Sequence, residues 1–237
     1  MNNLLKSLAI ALLLIAMSSC TEDDKGTSPE NNNVGASFQF DGEQTWDYEY
    51  YSFIENGDDI FKSNLYYLAE SDGMLWGKES YIYFQSLESD NRRDGPSVVM
   101  STTEDGLFFK YDYTYSFDGF FPQVKDKWHK FIDYKNESWT QFDLSLDSTT
   151  ENGIKISATY KLSGSKVKDL EVEYKDEIYP ATEYKLELSN SLSPKGPAFN
   201  GESKIYNITI IDGIGIYKWE ERYGIDIHLY RVLIDHK

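Results

Sequence analysis

The sequence predicts an all-β protein whose single antiparallel domain is a curved half-barrel or a β-sandwich. Three observations carry that expectation. The 237 residues include 19 Tyr, 13 Phe and 5 Trp, 16% of the chain, and aromatic side chains favour pleated, half-buried surfaces. Apolar residues then recur with period two. Ile154, Ile156, Ala158, Tyr160 and Leu162 interleave with Lys155, Ser157, Thr159 and Lys161, which puts one set inward and the other in water. The same holds for Leu170, Val172 and Tyr174, for Tyr184, Leu186 and Leu188, and for Ile225, Ile227 and Leu229. Finally, turn dipeptides punctuate the chain at Asn56-Gly57, Asp72-Gly73, Asp94-Gly95, Asp105-Gly106, Asp118-Gly119, Asn152-Gly153, Ser163-Gly164 and Asp212-Gly213. Asn-Gly and Asp-Gly supply the positive φ angles of tight hairpins, and spacings of about ten to fifteen residues leave no room for crossover helices. The expectation is about twelve to fourteen antiparallel strands, with any helix confined to a turn near Lys125 to Lys130. A sheet of that size must curl or split. A curved sheet with one concave apolar face is the preferred form.

Ahead of the domain, a polar start carrying Lys6 leads into the apolar run Leu8 to Met17 and the small residues Ser18 and Ser19. This is the layout of a cleaved secretory signal over residues 1–19. At roughly ten residues the run is too short for a bilayer core that needs about twenty. Met17-Ser18-Ser19-Cys20 resembles the lipobox of Gram-negative lipoproteins. The resemblance implies that Cys20 is acylated and anchors the mature chain in membrane lipid. Cys20 is the one cysteine of the chain, so no internal disulfide forms. The acidic tract Glu22 to Asp24 resembles the surface-export signal of lipoproteins in one large Gram-negative group, which implies an outer-membrane location and exposure at the cell surface. From Thr21 to about Ser37 the residues are mostly Asn, Glu, Asp, Ser, Gly and Pro, with almost nothing to bury, the composition of a flexible tether. Residues 20–37 are thus read as lipid-bearing Cys and tether, and 38–237 as the β domain.

Charge excludes one class of partner. With 40 acids against 23 bases the chain carries a formal −17, and binding to nucleic acid requires Lys and Arg that neutralise phosphates. His129, His228 and His236 lie far apart without metal-site spacing, so neither a metal nor another cofactor is expected. No Gly-x-Ser-x-Gly elbow, phosphate-binding loop or dinucleotide fingerprint occurs. Asp47 and Glu49 alternate with Trp46, Tyr48 and Tyr50 and mark a polar strand face, while Asp90 to Asp94 does not match an EF-hand loop.

Gly42-Glu43-Gln44-Thr45-Trp46-Asp47-Tyr48 is similar to the G-x-x-x-W-x-Y first strand of a group of uncharacterised Gram-negative outer-membrane lipoproteins. Tyr206 to Lys218, with Gly213-Ile214-Gly215 at its centre, resembles their closing hairpin, and Tyr179 to Tyr184 the segment before it. These resemblances imply a fold and carry no activity.

The candidate contact residues are aromatic. Phe109, Tyr111, Tyr113, Tyr115 and Phe117 alternate strictly with polar residues and share one strand face, either as a core wall or as a groove for flat ligands. Phe120 and Phe121 follow Asp118-Gly119 in an expected loop, where exposed apolar groups mark contact surfaces. The expected function is that of a non-enzymatic cell-envelope lipoprotein, a binding or accessory module for a glycan or an envelope protein. The alternatives are a periplasmic carrier holding an apolar ligand in a curved sheet, and a carboxylate-based hydrolase.

Overall fold

The computed structural model describes residues 36–53, 60–110, 127–149, 153–193, 203–223 and 227–237. Within them the chain forms twelve strands: β1 (Gln44–Phe53), β2 (Ile60–Leu75), β3 (Lys78–Ser86), β4 (Ser97–Thr103), β5 (Gly106–Lys110), β6 (Trp128–Asp133), β7 (Ser138–Thr149), β8 (Lys155–Tyr174), β9 (Glu177–Ser193), β10 (Lys204–Ile211), β11 (Gly215–Tyr223) and β12 (Ile227–His236). They build one sheet in the order β6-β5-β4-β3-β2-β1-β12-β11-β10-β9-β8-β7. Apart from β6 and β7, strands consecutive in the chain pair antiparallel, and β1 pairs with β12. The edges β6 and β7 are consecutive in sequence, joined through residues 134–137 without a ladder between them. Phe131 of β6 nevertheless stacks on Trp219 of β11 at 5.6 Å, and Tyr134 lies 6.3 Å from Tyr184 of β9. The sheet therefore wraps on itself without closing, which is the curved half-barrel and not the sandwich.

The expected alternation holds where it was clearest. Ala158, Tyr160 and Leu162, then Val172 and Tyr174, then Tyr184, Leu186 and Leu188 are all buried. Trp46 and Tyr48 point inward and reach across β12 to the β10–β11 hairpin. Trp46 Nε1 donates to the Ile214 carbonyl at 2.9 Å, and the Tyr48 hydroxyl to the Ile216 carbonyl at 2.6 Å. Between those carbonyls lies Gly215 at φ 121°, where an added Cβ would stand 3.2 Å from the Trp46 indole. The two ends of the chain meet through these groups. Asp47 and Glu49 face outward as expected, Asp47 accepting from Arg92 at 2.7 Å and Glu49 from the Tyr51 hydroxyl at 2.6 Å.

One end of the half-barrel is closed by the segment that precedes β1. Ala36 N–H donates to Thr182 Oγ1 at 2.6 Å, Gly213 N–H to the Ser37 carbonyl at 2.8 Å, and Phe40 N–H to Thr102 Oγ1 at 2.8 Å. The arm thus spans from β9 and the β10–β11 turn to β4 and buries Phe38 and Phe40.

Several local expectations are corrected. The helical turn is a 3-10 segment at Ser89–Asp94, held to the outer face by Arg92 on Asp47 and Arg93 on Glu70. Lys130 lies in β6 instead. Asp72-Gly73 is not a hairpin turn: Gly73, at φ 81°, sits within β2 where the register to β3 shifts, which is a bulge. Ser163-Gly164 is inside β8, and an added Cβ on Gly164 would lie 2.2 Å from the Trp139 ring, so the glycine serves close packing. His236, next to the last residue, pairs with Trp46 in the β12–β1 ladder and stacks on its indole at 5.2 Å. Asn56-Gly57 and Asp118-Gly119 lie outside the described residues.

Candidate binding surface

The β2–β3 hairpin overshoots β4, and its tip lies on the outer face of β5 and β6. Its turn is Trp76-Gly77 with φ of 44° and 78°, the sign pattern of a type I′ turn. Asn or Gly normally takes the first position, because a side chain there crowds the backbone; a bulky residue in the left-handed region is uncommon and strained. Trp76 holds that position while its ring is 42% exposed, beside Met74 at 72%.

What fixes the tip is its contact with β5 and β6. Trp128 Nε1 donates to the Leu75 carbonyl at 2.8 Å, and the Trp76 and Trp128 rings meet edge to face at 6.0 Å. Lys78 Nζ lies 4.2 Å from the Phe108 ring centroid and Lys130 Nζ 5.8 Å from it. This accounts for β5 being buried on both faces: Phe109 packs inward against Phe131 at 4.8 Å, and Phe108 is covered from outside by lysine stems. Lys110 Nζ stands 6.0 Å from the Trp76 ring centroid. Cations over ring faces stabilise such arrangements by roughly 0.5–1 kcal/mol when exposed. The result is a preformed platform of two indoles and a thioether, flanked by ammonium groups.

A second cluster lies inside. Arg231 is 6% exposed; its guanidinium sits 4.7 Å from the Trp219 ring, 4.9 Å from Tyr67 and 5.5 Å from Tyr48, and donates to the Tyr67 hydroxyl. Glu221, also buried, accepts from Trp219 Nε1 at 3.0 Å. Burial raises the Tyr67 phenol above its ordinary range and pushes Tyr50 up to about 12, so both remain neutral donors. Tyr50, Trp219, Glu221 and Arg231 line a cleft whose free volume of about 10 Å³ matches a single water. The Arg231 Nε has no hydrogen-bond partner among the described residues, and the space beside the cluster is too tight for a larger ligand.

Cys20, Tyr111, Tyr113, Tyr115, Phe120 and Phe121 lie outside the described residues. Phe109, which opens the expected aromatic row, is buried. His129 is buried in β6, and among the described residues no group of three His, Cys, Asp or Glu side chains could hold a metal ion. Sequence reading missed Trp76 and Trp128. The signal was Trp76-Gly77 itself, an indole at the first position of a two-residue turn.

No protein-family model matches the chain, and no curated relative matches it. Among solved structures, a predicted lipoprotein of Parabacteroides distasonis ATCC 8503 is similar at a TM-score of 0.49 and 11% identity, over 86% of this chain and 99% of its own. A predicted exported protein of Bacteroides fragilis NCTC 9343 with a YmcC-like fold gives 0.40 and 11% over the same shares.

Proposed function

We propose that the protein is a non-enzymatic module of the cell envelope that binds glycan through the Trp76–Trp128 platform. One observation carries this reading: an indole held at the tip of a hairpin in a backbone conformation that disfavours it, exposed, and backed by a second indole whose own N–H is already used. Trp76 rests partly on Trp128, and the 42% of it that stays accessible is presented to solvent on a rigid frame. Flat aromatic faces with limited rotamer freedom suit the apolar faces of sugar rings. Location in the envelope rests on the N-terminal sequence, where the apolar run ends at Cys20, and the outer membrane is the membrane proposed. An apolar-ligand carrier is less favoured, since Arg231 and Glu221 interrupt the inner wall with charge.

The test is a glycan array probed with the full chain and with Trp76→Ala. Wild type is expected to bind at least one oligosaccharide class. The variant should lose that binding while its denaturation midpoint stays within about 0.5 kcal/mol of wild type, the usual range for surface positions. A variant that retains full binding sinks the platform.

A further inference from the structure

The cations of the platform carry an inference beyond sugar binding, though it rests on that reading. Many lysines of the described surface stand against carboxylates. Lys161 meets Asp143 at 3.2 Å, Lys166 meets Asp169 at 2.8 Å, Lys218 meets Glu220 at 2.9 Å, and Lys175 meets Asp235. Lys130 at the platform margin is likewise neutralised by Asp133 at 2.9 Å. Lys78 and Lys110 differ. Among the described residues neither has an ion pair, and each rests on a ring instead, Lys78 on Phe108 and Lys110 on Trp76. Among the described residues Lys62, Lys127 and Lys155 stand without an ion pair as well, but Lys78 and Lys110 are the ones held against rings of the platform, so unpaired ammonium groups and exposed indoles meet here.

A ring face holds an ammonium weakly and leaves its outward N–H groups free for an anion. A sugar ring resting on Trp76 lies beside the Lys110 ammonium, and a negatively charged substituent would replace water there with a charge-assisted hydrogen bond. The acidic remainder of the surface repels such a ligand everywhere else, which confines it to this place. We infer that the platform selects acidic carbohydrate, sugars bearing carboxylate groups, over neutral carbohydrate of the same backbone. Trp76 and Trp128 supply the stacking surface, and Lys110, with Lys78 behind it, supplies the discrimination.

The experiment titrates the full chain with matched oligosaccharide pairs, each a uronic-acid oligomer and its carboxyl-reduced neutral counterpart, beside vesicles of anionic phospholipid. The acidic member should bind about threefold to fivefold more tightly, the strength of an exposed ion pair. That advantage should be largest near about 0.01 M salt and vanish near about 1 M as charges are screened. Lys110→Gln should remove most of the advantage, read as the ratio of acidic to neutral affinity within each pair, whereas Lys161→Gln should leave that ratio as in wild type. Equal binding of both members in every pair, at low salt, overturns the charge proposal and leaves sugar binding standing. Binding to the vesicles and to no oligosaccharide overturns both readings in favour of a lipid surface, and binding to nothing overturns both as well.

Discussion

Two hairpins of this half-barrel overshoot their neighbours, and both end in a two-residue turn of left-handed backbone. The β2–β3 hairpin turns at Trp76-Gly77 and the β8–β9 hairpin at Lys175-Asp176, the latter with φ of 52° and 63°. Their fates differ. The β8–β9 tip passes the shorter β10–β11 hairpin and ties Lys175 to Asp235 on β12, with Val172 and Tyr174 buried beneath it. The β2–β3 tip crosses β4 and leaves Trp76 and Met74 in water. One conformational device thus serves two ends. Where the strained turn is bound back to the sheet it closes the structure, and where it carries an exposed indole it presents a surface.

The largest effect should come from testing whether that division is energetic. Tyr174, the last residue before one tip, is buried, and Tyr174→Ala should cost about 3–5 kcal/mol through lost burial and a cavity. Met74, two residues before the other tip, is exposed, and Met74→Ala should stay within about 0.5 kcal/mol. Chemical denaturation of both variants measures this. If Met74→Ala destabilises as much as Tyr174→Ala, the β2–β3 tip is a second closing element and the contrast dissolves.

How much of this was legible depended on which force sets each feature. Strand identity came through because inward positions such as Tyr184, Leu186 and Leu188 are selected by burial, a property every residue carries locally. Turn position came through at Asp105-Gly106 and at Asp212-Gly213, and at Gly213, with φ 74° and open space around it, backbone geometry alone chooses the residue. It failed at Asp72-Gly73 and Ser163-Gly164, because a glycine can also serve a bulge or the close approach of Trp139, and those needs arise from partners distant in sequence. The same limit hid the platform: Trp76 and Trp128 are 52 positions apart, and only the bend of a hairpin over β4 brings them together. The inward position of Phe109 could be read, by contrast, because alternation is local.

A smaller effect sharpens the closed end. His236 is half-buried between the Trp46 indole and Lys175, and its Nε2 has no hydrogen-bond partner among the described residues. Burial first, and then the Lys175 charge, hold its pKa below the ordinary 6.5, Asp235 partly opposing them. A histidine whose folded pKa is depressed binds its proton more readily when unfolded, so stability is complete above pH 6.5 and falls as pH drops below it. Asp235 titrates lower, held at about 2 by hydrogen bonds from Lys175 and Lys237. Its contribution is present above the ordinary 3.8 and is lost as pH falls toward 2. Urea midpoints from pH 8 to 2.5 should therefore fall in two steps. His236→Gln should flatten the upper step, and Asp235→Asn should shrink but not abolish the lower one, which Glu70, Asp105, Asp133 and Asp169 share because hydrogen-bonded cations hold their carboxyls low too. Two steps unchanged by both substitutions would remove the closed tip from the pH response.

The smallest and most discriminating effect concerns Trp76 itself. A side chain in the left-handed region costs on the order of 1–2 kcal/mol relative to residues that tolerate it, and Asn is the residue most favoured before Gly in a type I′ turn. Trp76→Asn should relieve that cost. It also loses the edge-to-face contact with Trp128, worth about 0.5–1.5 kcal/mol, and the Lys110 contact. The terms nearly cancel, so the variant is expected to match wild type or exceed it by up to about 1 kcal/mol, while glycan binding disappears. The matching change at the other tip behaves differently. Lys175→Asn relieves similar strain but gives up the Asp235 pair, an exposed contact worth about 0–1 kcal/mol, and should leave any ligand binding intact. Thermal melts beside ligand titration resolve the two. A stable, non-binding Trp76→Asn chain would show that the indole is kept at the turn for contact and against the preference of its own backbone. A variant that loses several kcal/mol would instead make Trp76 part of the frame.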